Sequence, residues 1–144
     1  MKFSVVIALF VAACAVGAAN TRPIVGILSQ EYGDDKHTYI AASYVKWVES
    51  AGARAIPLFY DSWSVEQMEG MLKNINGVIF PGGSMDFVGK YLDQLQTIFR
   101  FVKQSNDNGI YFPLWGTCLG VCHPSVNITC MPRNCFMCSC VFFF

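Results

Sequence analysis

The chain has 144 residues, of which 53% are hydrophobic and 14% charged, and its ten basic and ten acidic side chains cancel. This length predicts one domain, and the apolar content is sufficient for a folded core, which excludes a disordered chain. The balanced charge gives no electrostatic reason to expect nucleic acid or an anionic membrane surface as a partner.

The first segment has the pattern of a secretory signal peptide over residues 1–19. It begins with one lysine, continues as an apolar run and closes on small residues at Ala19. A membrane anchor is the weaker alternative, because the run is short for a span and no stop-transfer charges follow it. A lipoprotein cleavage site at Cys14 stays open as a second alternative. After signal cleavage we expect no membrane segment, and a secretory route leading to the extracellular space, a lysosome or a vacuole.

Short apolar runs then alternate with helical periodicity. Residues 24–30 predict a buried strand, and Thr38 predicts the cap of a helix that stops at Gly52. A second strand is predicted over 53–59, with Pro57 near its end, where a missing donor costs least.

The alternation continues to residue 116. Ser64 and Gln67 predict a capping box at the start of a second helix. Residues 77–83 and 110–116 predict two further buried strands. Between them lies a third helix, with a stripe at helical spacing made of Tyr91, Leu95, Ile98 and Val102. Four strand–helix alternations predict an α/β three-layer sandwich with a parallel sheet.

The composition changes after Gly120. Residues 121–144 carry five of the seven cysteines and one charged side chain, whereas 20–117 contain no cysteine. The domain body must therefore be stabilised by its hydrophobic core and not by disulfides. We expect three segments: a signal peptide (1–19), an α/β domain part (20–120) and a divergent Cys-rich tail (121–144) that is not native to the fold. Such a sheet would end at its fourth strand and expose an edge.

The pentad Gly116–Gly120 places a cysteine between small residues directly after a strand. A sharp turn with close backbone approach needs such flanking glycines, as in the serine version of this elbow in hydrolases. At the start of a helix the N-terminal dipole would favour the thiolate, so Cys118 is a candidate nucleophile. An inert buried cysteine beside a strand is the alternative.

Pro81-Gly82-Gly83 follows the third predicted strand. Because the carboxyl ends of parallel strands share one edge, Gln30, these glycines and Cys118, which all lie just past strand ends, should cluster. The backbone N–H groups of Gly82, Gly83 and Leu119 could then form an oxyanion hole. A plain loop is the alternative for this segment.

Four segments carry a family resemblance: "RPIVGILSQ", "YIAASYVKWVESAGARAIPL", "NGVIFPGGS" and "YFPLWGTCLG". In order and spacing they resemble the N-terminal part of the gamma-glutamyl hydrolases, which have the class I glutamine amidotransferase-like, flavodoxin-like fold. The resemblance implies hydrolysis of γ-glutamyl bonds in folate polyglutamates, with a Cys118 thioester and no metal or other cofactor. It also implies a homodimer. It makes Tyr44 a candidate substrate-binding residue, but Tyr44 also lies on the core stripe of its helix, so core packing is an equal alternative.

The same resemblance fails after Gly120. Family members continue into a helix and a distant catalytic histidine, which residues 121–144 do not match, so we expect a chain truncated after the nucleophile turn. His37 and His123 are weak substitutes, since His37 fits a solvated loop and His123 is followed by Pro124. The alternative function is thus a catalytically inactive fragment. Cys135, Cys138 and Cys140 could suggest a metal knuckle, but no second knuckle has matching spacing, and we expect no metal site.

Overall fold

Seven strands and three helices make up the part of the chain that a computed structural model describes, residues 21–33, 37–84, 86–118 and the backbone of 139–142. The strands are β1 (Ile24–Leu28), β2 (Gln30–Tyr32), β3 (His37–Tyr39), β4 (Arg54–Leu58), β5 (Gly77–Phe80), β6 (Leu114–Thr117) and β7 (Ser139–Phe142). The helices are α1 (Ala42–Ser50), α2 (Val65–Leu72) and α3 (Gly89–Asp107).

Five strands form the main sheet in the order β4-β1-β5-β6-β7. The first four are parallel, with Gly26 of β1 opposite Ile56 of β4 and Val78 of β5. Their carboxyl ends therefore meet at one edge of the sheet, as predicted. The two short strands β2 and β3 form a separate antiparallel hairpin.

The side chains of the sheet alternate between two apolar layers. On one face Leu28, Phe80 and Leu114 belong to the main core, to which α2 and α3 contribute Met68, Leu72, Leu95, Ile98 and Val102. On the other face Ile27 and Ile79 pack with Val48 of α1. One helix on one face and two on the other give three layers, so the predicted α/β sandwich with a mostly parallel sheet is confirmed.

The centre of the sheet depends on one close approach. A Cβ at Gly26 would lie 2.7 Å from Leu58 Cδ1 and 2.9 Å from Ile75 Cδ1, so a larger residue there would force these two side chains to shift. Pro57 lies in β4, which is an edge strand, where its missing N–H costs no ladder bond.

Two of the predicted helices have the local features that the sequence indicates. Ser64 Oγ accepts from the Gln67 N–H at 3.2 Å and the Gln67 side chain accepts from the Ser64 N–H at 2.8 Å, which is a complete capping box. The predicted stripe of α3 is buried: Tyr91, Leu95, Ile98 and Val102.

The start of α1 differs from the prediction. The helix begins at Ala42 after Ala41, which makes no side-chain cap, and Thr38 lies in β3 opposite Glu31. The hairpin takes up the residues that would have formed the first turn. Gly52, with φ of 82°, ends this helix as predicted.

The far edge of the sheet also differs. Ser139–Phe142 form β7, which runs antiparallel to β6 with Ser139 opposite Thr117 and Phe142 opposite Leu114. The expectation that the sheet ends at its fourth strand, with β6 exposed, is therefore wrong. The signal peptide and the rest of the tail lie outside the described residues. No helix in the described ranges is long and apolar enough to cross a membrane.

Candidate active site

Three segments that follow parallel strands meet at the carboxyl edge of the sheet. Gln30 follows β1, Gly82 and Gly83 follow β5, and Cys118 follows β6. The predicted clustering is confirmed by two contacts, because a Cβ at Gly82 would meet Cys118 and a Cβ at Gly83 would meet Gln30.

Cys118 lies at the turn that ends β6. Its φ is 49°, and among the described residues it is the one non-glycine with positive φ. Its thiol is free and half-buried. A left-handed residue at the end of a strand reverses the chain direction abruptly, which presents the side chain at the sheet edge and is the backbone geometry an elbow requires.

Gly82 packs against this turn. A Cβ on it would lie 3.2 Å from Cys118 Cβ and 3.4 Å from the Thr117 carbonyl oxygen, tighter than most such contacts. Its N–H donates to the Tyr44 hydroxyl at 2.9 Å. The absence of a side chain at position 82 therefore lets the loop after β5 approach the cysteine.

Tyr44 reaches the site from α1. Its ring packs on the smaller core layer with Val48 and Ile79, while its hydroxyl accepts from Gly82. The two interpretations of this residue, core packing and a position at the site, thus describe different ends of one side chain. Whether it binds substrate stays a prediction.

Gln30 lies at this edge of the sheet, as the strand pattern predicts, and its side chain is buried there. It is 3% exposed, and its side-chain Nε2 donates to the Pro81 carbonyl at 3.1 Å, which fixes the loop between β5 and Gly82. A Cβ at Gly83 would overlap its amide.

The structure describes only some of the remaining predicted residues. Leu119, His123 and the cysteines at 122–138 lie outside the described residues. His37 is exposed on β3, where it pairs with Tyr32. Within the described ranges no group of three or more metal-binding side chains lies together.

The fold and this edge define an α/β domain with a cysteine at a strand-end elbow, and comparison with known proteins assigns it. The family model described as Peptidase C26 matches residues 23–129. The chain belongs to the peptidase C26 family.

Three curated relatives carry the same kind of name. The chain is 45% identical over 116 residues to gamma-glutamyl hydrolase B of Dictyostelium discoideum, covering 74% of this chain and 32% of that protein. It is 46% identical to gamma-glutamyl hydrolase of Rattus norvegicus (76% and 36%) and 44% identical to that of Homo sapiens (72% and 34%). The predicted resemblance is confirmed, and the chain spans about a third of the length of these relatives.

Proposed function

We propose that this chain supplies the nucleophile and oxyanion side of a γ-glutamyl hydrolase site that acts on folate polyglutamates. The observation that carries the proposal is the left-handed Cys118 at the end of β6, packed against Gly82, in a member of the peptidase C26 family. The relatives, which are named gamma-glutamyl hydrolases, support γ-glutamyl hydrolysis.

The proposed reaction passes through a thioester. The Cys118 thiolate attacks the carbonyl carbon of the γ-amide, and an S–C bond forms. As the C–N bond breaks, the leaving nitrogen takes up the proton that the Cys118 thiol lost on ionising, and it departs as an amine. Water then attacks the thioester, the S–C bond breaks, and a carboxylate and the thiol are released. The reaction is a hydrolysis, so no oxidant or reductant takes part.

The developing negative charge needs backbone donors near Cys118. Gly82 packs against Cys118, and its N–H becomes a donor to the substrate oxygen when its hydrogen bond to Tyr44 is exchanged for one to that oxygen. This exchange would give Tyr44 a role at the site, because its freed hydroxyl lies beside the bound carbonyl. Gly83 and Leu119 are the further predicted donors, and removing one such donor typically costs about 10²–10³ in rate.

An acyl-trapping experiment tests the proposal. The 144-residue chain is mixed with a diglutamyl folate, quenched in acid and analysed by peptide mass spectrometry, while glutamate release is followed in parallel. We expect an acyl adduct on the peptide that contains Cys118, and none in Cys118→Ala. Release of glutamate by Cys118→Ala at the unaltered rate would contradict the thioester.

A non-catalytic binding role is the second candidate. It is favoured by the position of His37, which is exposed on the hairpin strand β3. Without a positioned acid and base, acyl transfer is slower by about 10²–10⁴. Binding of diglutamyl folate with neither an adduct nor glutamate release would select this candidate.

A further inference from the structure

A second concavity opens at the same sheet edge, next to the loop that carries Gly83. Its volume is about 350 Å³, and its lining includes Gln30, Tyr39, Tyr60, Ser84, Lys90 and Tyr91. The hairpin, the loop after β4, the loop after β5 and the start of α3 all contribute. Because Gln30 packs against Gly83 and Gly82 packs against Cys118, one short loop links this cavity to the nucleophile.

The floor of the cavity holds a hydroxyl group without a partner. Tyr91 is 2% exposed, and its Oη makes no hydrogen bond to any described residue. Burial raises the pKa of Tyr91 to about 12, with the nearby Gln30 amide acting in the opposite direction, so the hydroxyl stays protonated and can donate. A buried polar group without a partner is destabilising, and a ligand in this cavity would supply one.

Aromatic rings flank that hydroxyl. Tyr60 meets Tyr91 edge to face at 5.2 Å, and Phe87 lies nearly parallel to Tyr91 at 6.4 Å. At the mouth, Tyr39 meets Tyr32 edge to face at 5.5 Å. Flat aromatic surfaces around a polar point favour a planar ligand that stacks and forms hydrogen bonds.

Charge distinguishes the floor from the rim. The floor residues Gln30 and Tyr91 are uncharged, whereas Glu31, Asp86 and Lys90 line the more exposed part. Lys90 Nζ donates to the Asp61 carbonyl at 2.9 Å, which holds the ammonium group toward the rim. A carboxylate on the floor would lose its hydration without gaining a cation, while a neutral polar group would not incur that cost.

We infer that this cavity binds a neutral, planar heteroaromatic ring that carries hydrogen-bonding groups. The inference rests on the proposed function, for whose substrate this ring is the pteridine end of the folate. With the ring beside Gln30 and Gly83, the glutamyl chain extends past Gly82 toward Cys118. The cavity then selects the ring, and the elbow acts on the chain.

Direct binding tests the inference apart from turnover. Into the full chain carrying Cys118→Ala we titrate 6-methylpterin, which has the ring and no glutamate, and γ-glutamylglutamate, which has no ring. We expect saturable binding of 6-methylpterin and a loss of about tenfold in affinity in Tyr91→Phe, the size of one hydrogen bond. Tyr111→Phe is the matched control, since Tyr111 is 70% exposed and precedes the amino end of β6. Ser84→Trp, which fills the mouth, should abolish binding.

Each outcome decides one of the two proposals. Absence of 6-methylpterin binding, or equal affinity in Tyr91→Phe and the parent, would overturn the inference even if the chain releases glutamate. Tyr91-dependent ring binding without an acyl adduct or glutamate release in the Cys118 protein would overturn the proposed function and leave the inference standing.

Discussion

The Tyr44 hydroxyl and the Gly82 N–H form a hydrogen bond that ties α1 to the loop beside the nucleophile. In Tyr44→Phe the Gly82 N–H loses its acceptor, and we expect the free energy of unfolding to fall by about 1 kcal/mol. If the Tyr44 hydroxyl of the parent contacts substrate, we also expect KM for a diglutamyl folate to rise in this variant. Urea denaturation and steady-state kinetics measure the two effects.

Tyr32→Phe is the matched control for that change, because Tyr32 is 61% exposed and the substitution keeps its ring contact with Tyr39. Equal stability of Tyr44→Phe and the parent would show that the Gly82 hydrogen bond contributes nothing. A changed stability with unchanged KM would assign Tyr44 to packing alone.

Tyr91 makes stability depend on pH in the alkaline range. Its folded pKa of about 12 exceeds the ordinary value of 10.0, so folding favours the neutral hydroxyl. The stabilisation is complete below pH 10 and is lost as the pH rises through 12, by an amount on the order of 2–3 kcal/mol. Unfolding free energies of the parent and Tyr91→Phe, compared at pH 9 and pH 12, measure it. A parallel pH dependence in both proteins would contradict the shift.

At the scale of elements, the capping box of α2 is the clearest local signal that the structure keeps. Ser64→Ala removes the acceptor for the Gln67 N–H, and we expect a loss of about 1 kcal/mol in unfolding free energy. Ser62→Ala is the control, since that hydroxyl bonds only to the exposed side chain of the adjacent Asp61. Urea denaturation of both variants decides, and equal losses would exclude a specific role for the cap.

The sequence predicted the strands and helices whose own residues show an apolar run or a helical stripe. β1, β5 and α3 have continuous apolar runs or stripes, which a buried strand or an amphipathic helix requires. The hairpin of β2 and β3 has short polar strands, and its formation depends on pairing between residues whose own propensities do not demand it. β7 was missed for a different reason, because Val141 and Phe142 favour a strand but the change of composition after Gly120 argued against continuing the sheet.

The candidate site likewise has features that the sequence could predict and features that it could not. Gly82 and Cys118 could be brought together from topology, because parallel strands end at one edge. The contact of Gln30 with Gly83 and the unpartnered hydroxyl of Tyr91 could not, because each depends on side-chain directions fixed by packing across two layers. Tyr91 has the spacing of an ordinary core residue, and its hydroxyl gives no signal in the sequence.

At the scale of the whole molecule, the main sheet has two edge strands, β4 and β7. Pro57 lies on the β4 edge, and β7 covers the edge of β6. Unpaired edges promote association between chains, and Pro57 lowers that tendency at β4, whereas β7 is itself the other edge strand of the described sheet.

The leader predicted over residues 1–19 determines where the molecule would be found. We expect the chain expressed in a secreting host to begin at Asn20, because the signal peptidase requires a small residue at Ala19. Ala19→Arg should block cleavage at that bond. Intact-mass measurement of the exported protein reads the result, and an unprocessed Met1 on the parent chain would contradict the prediction.

The left-handed backbone of Cys118 has a consequence for the trade-off between stability and activity. The other described residues with positive φ are glycines at positions 52, 89 and 109, for which this conformation carries no side-chain strain. A cysteine in it carries a cost of about 1 kcal/mol. Cys118→Gly should therefore unfold at a higher denaturant concentration than Cys118→Ala, although both lack the thiol. A protein selected for stability alone would have glycine at position 118, and the cysteine found there is the residue that the proposed thioester requires.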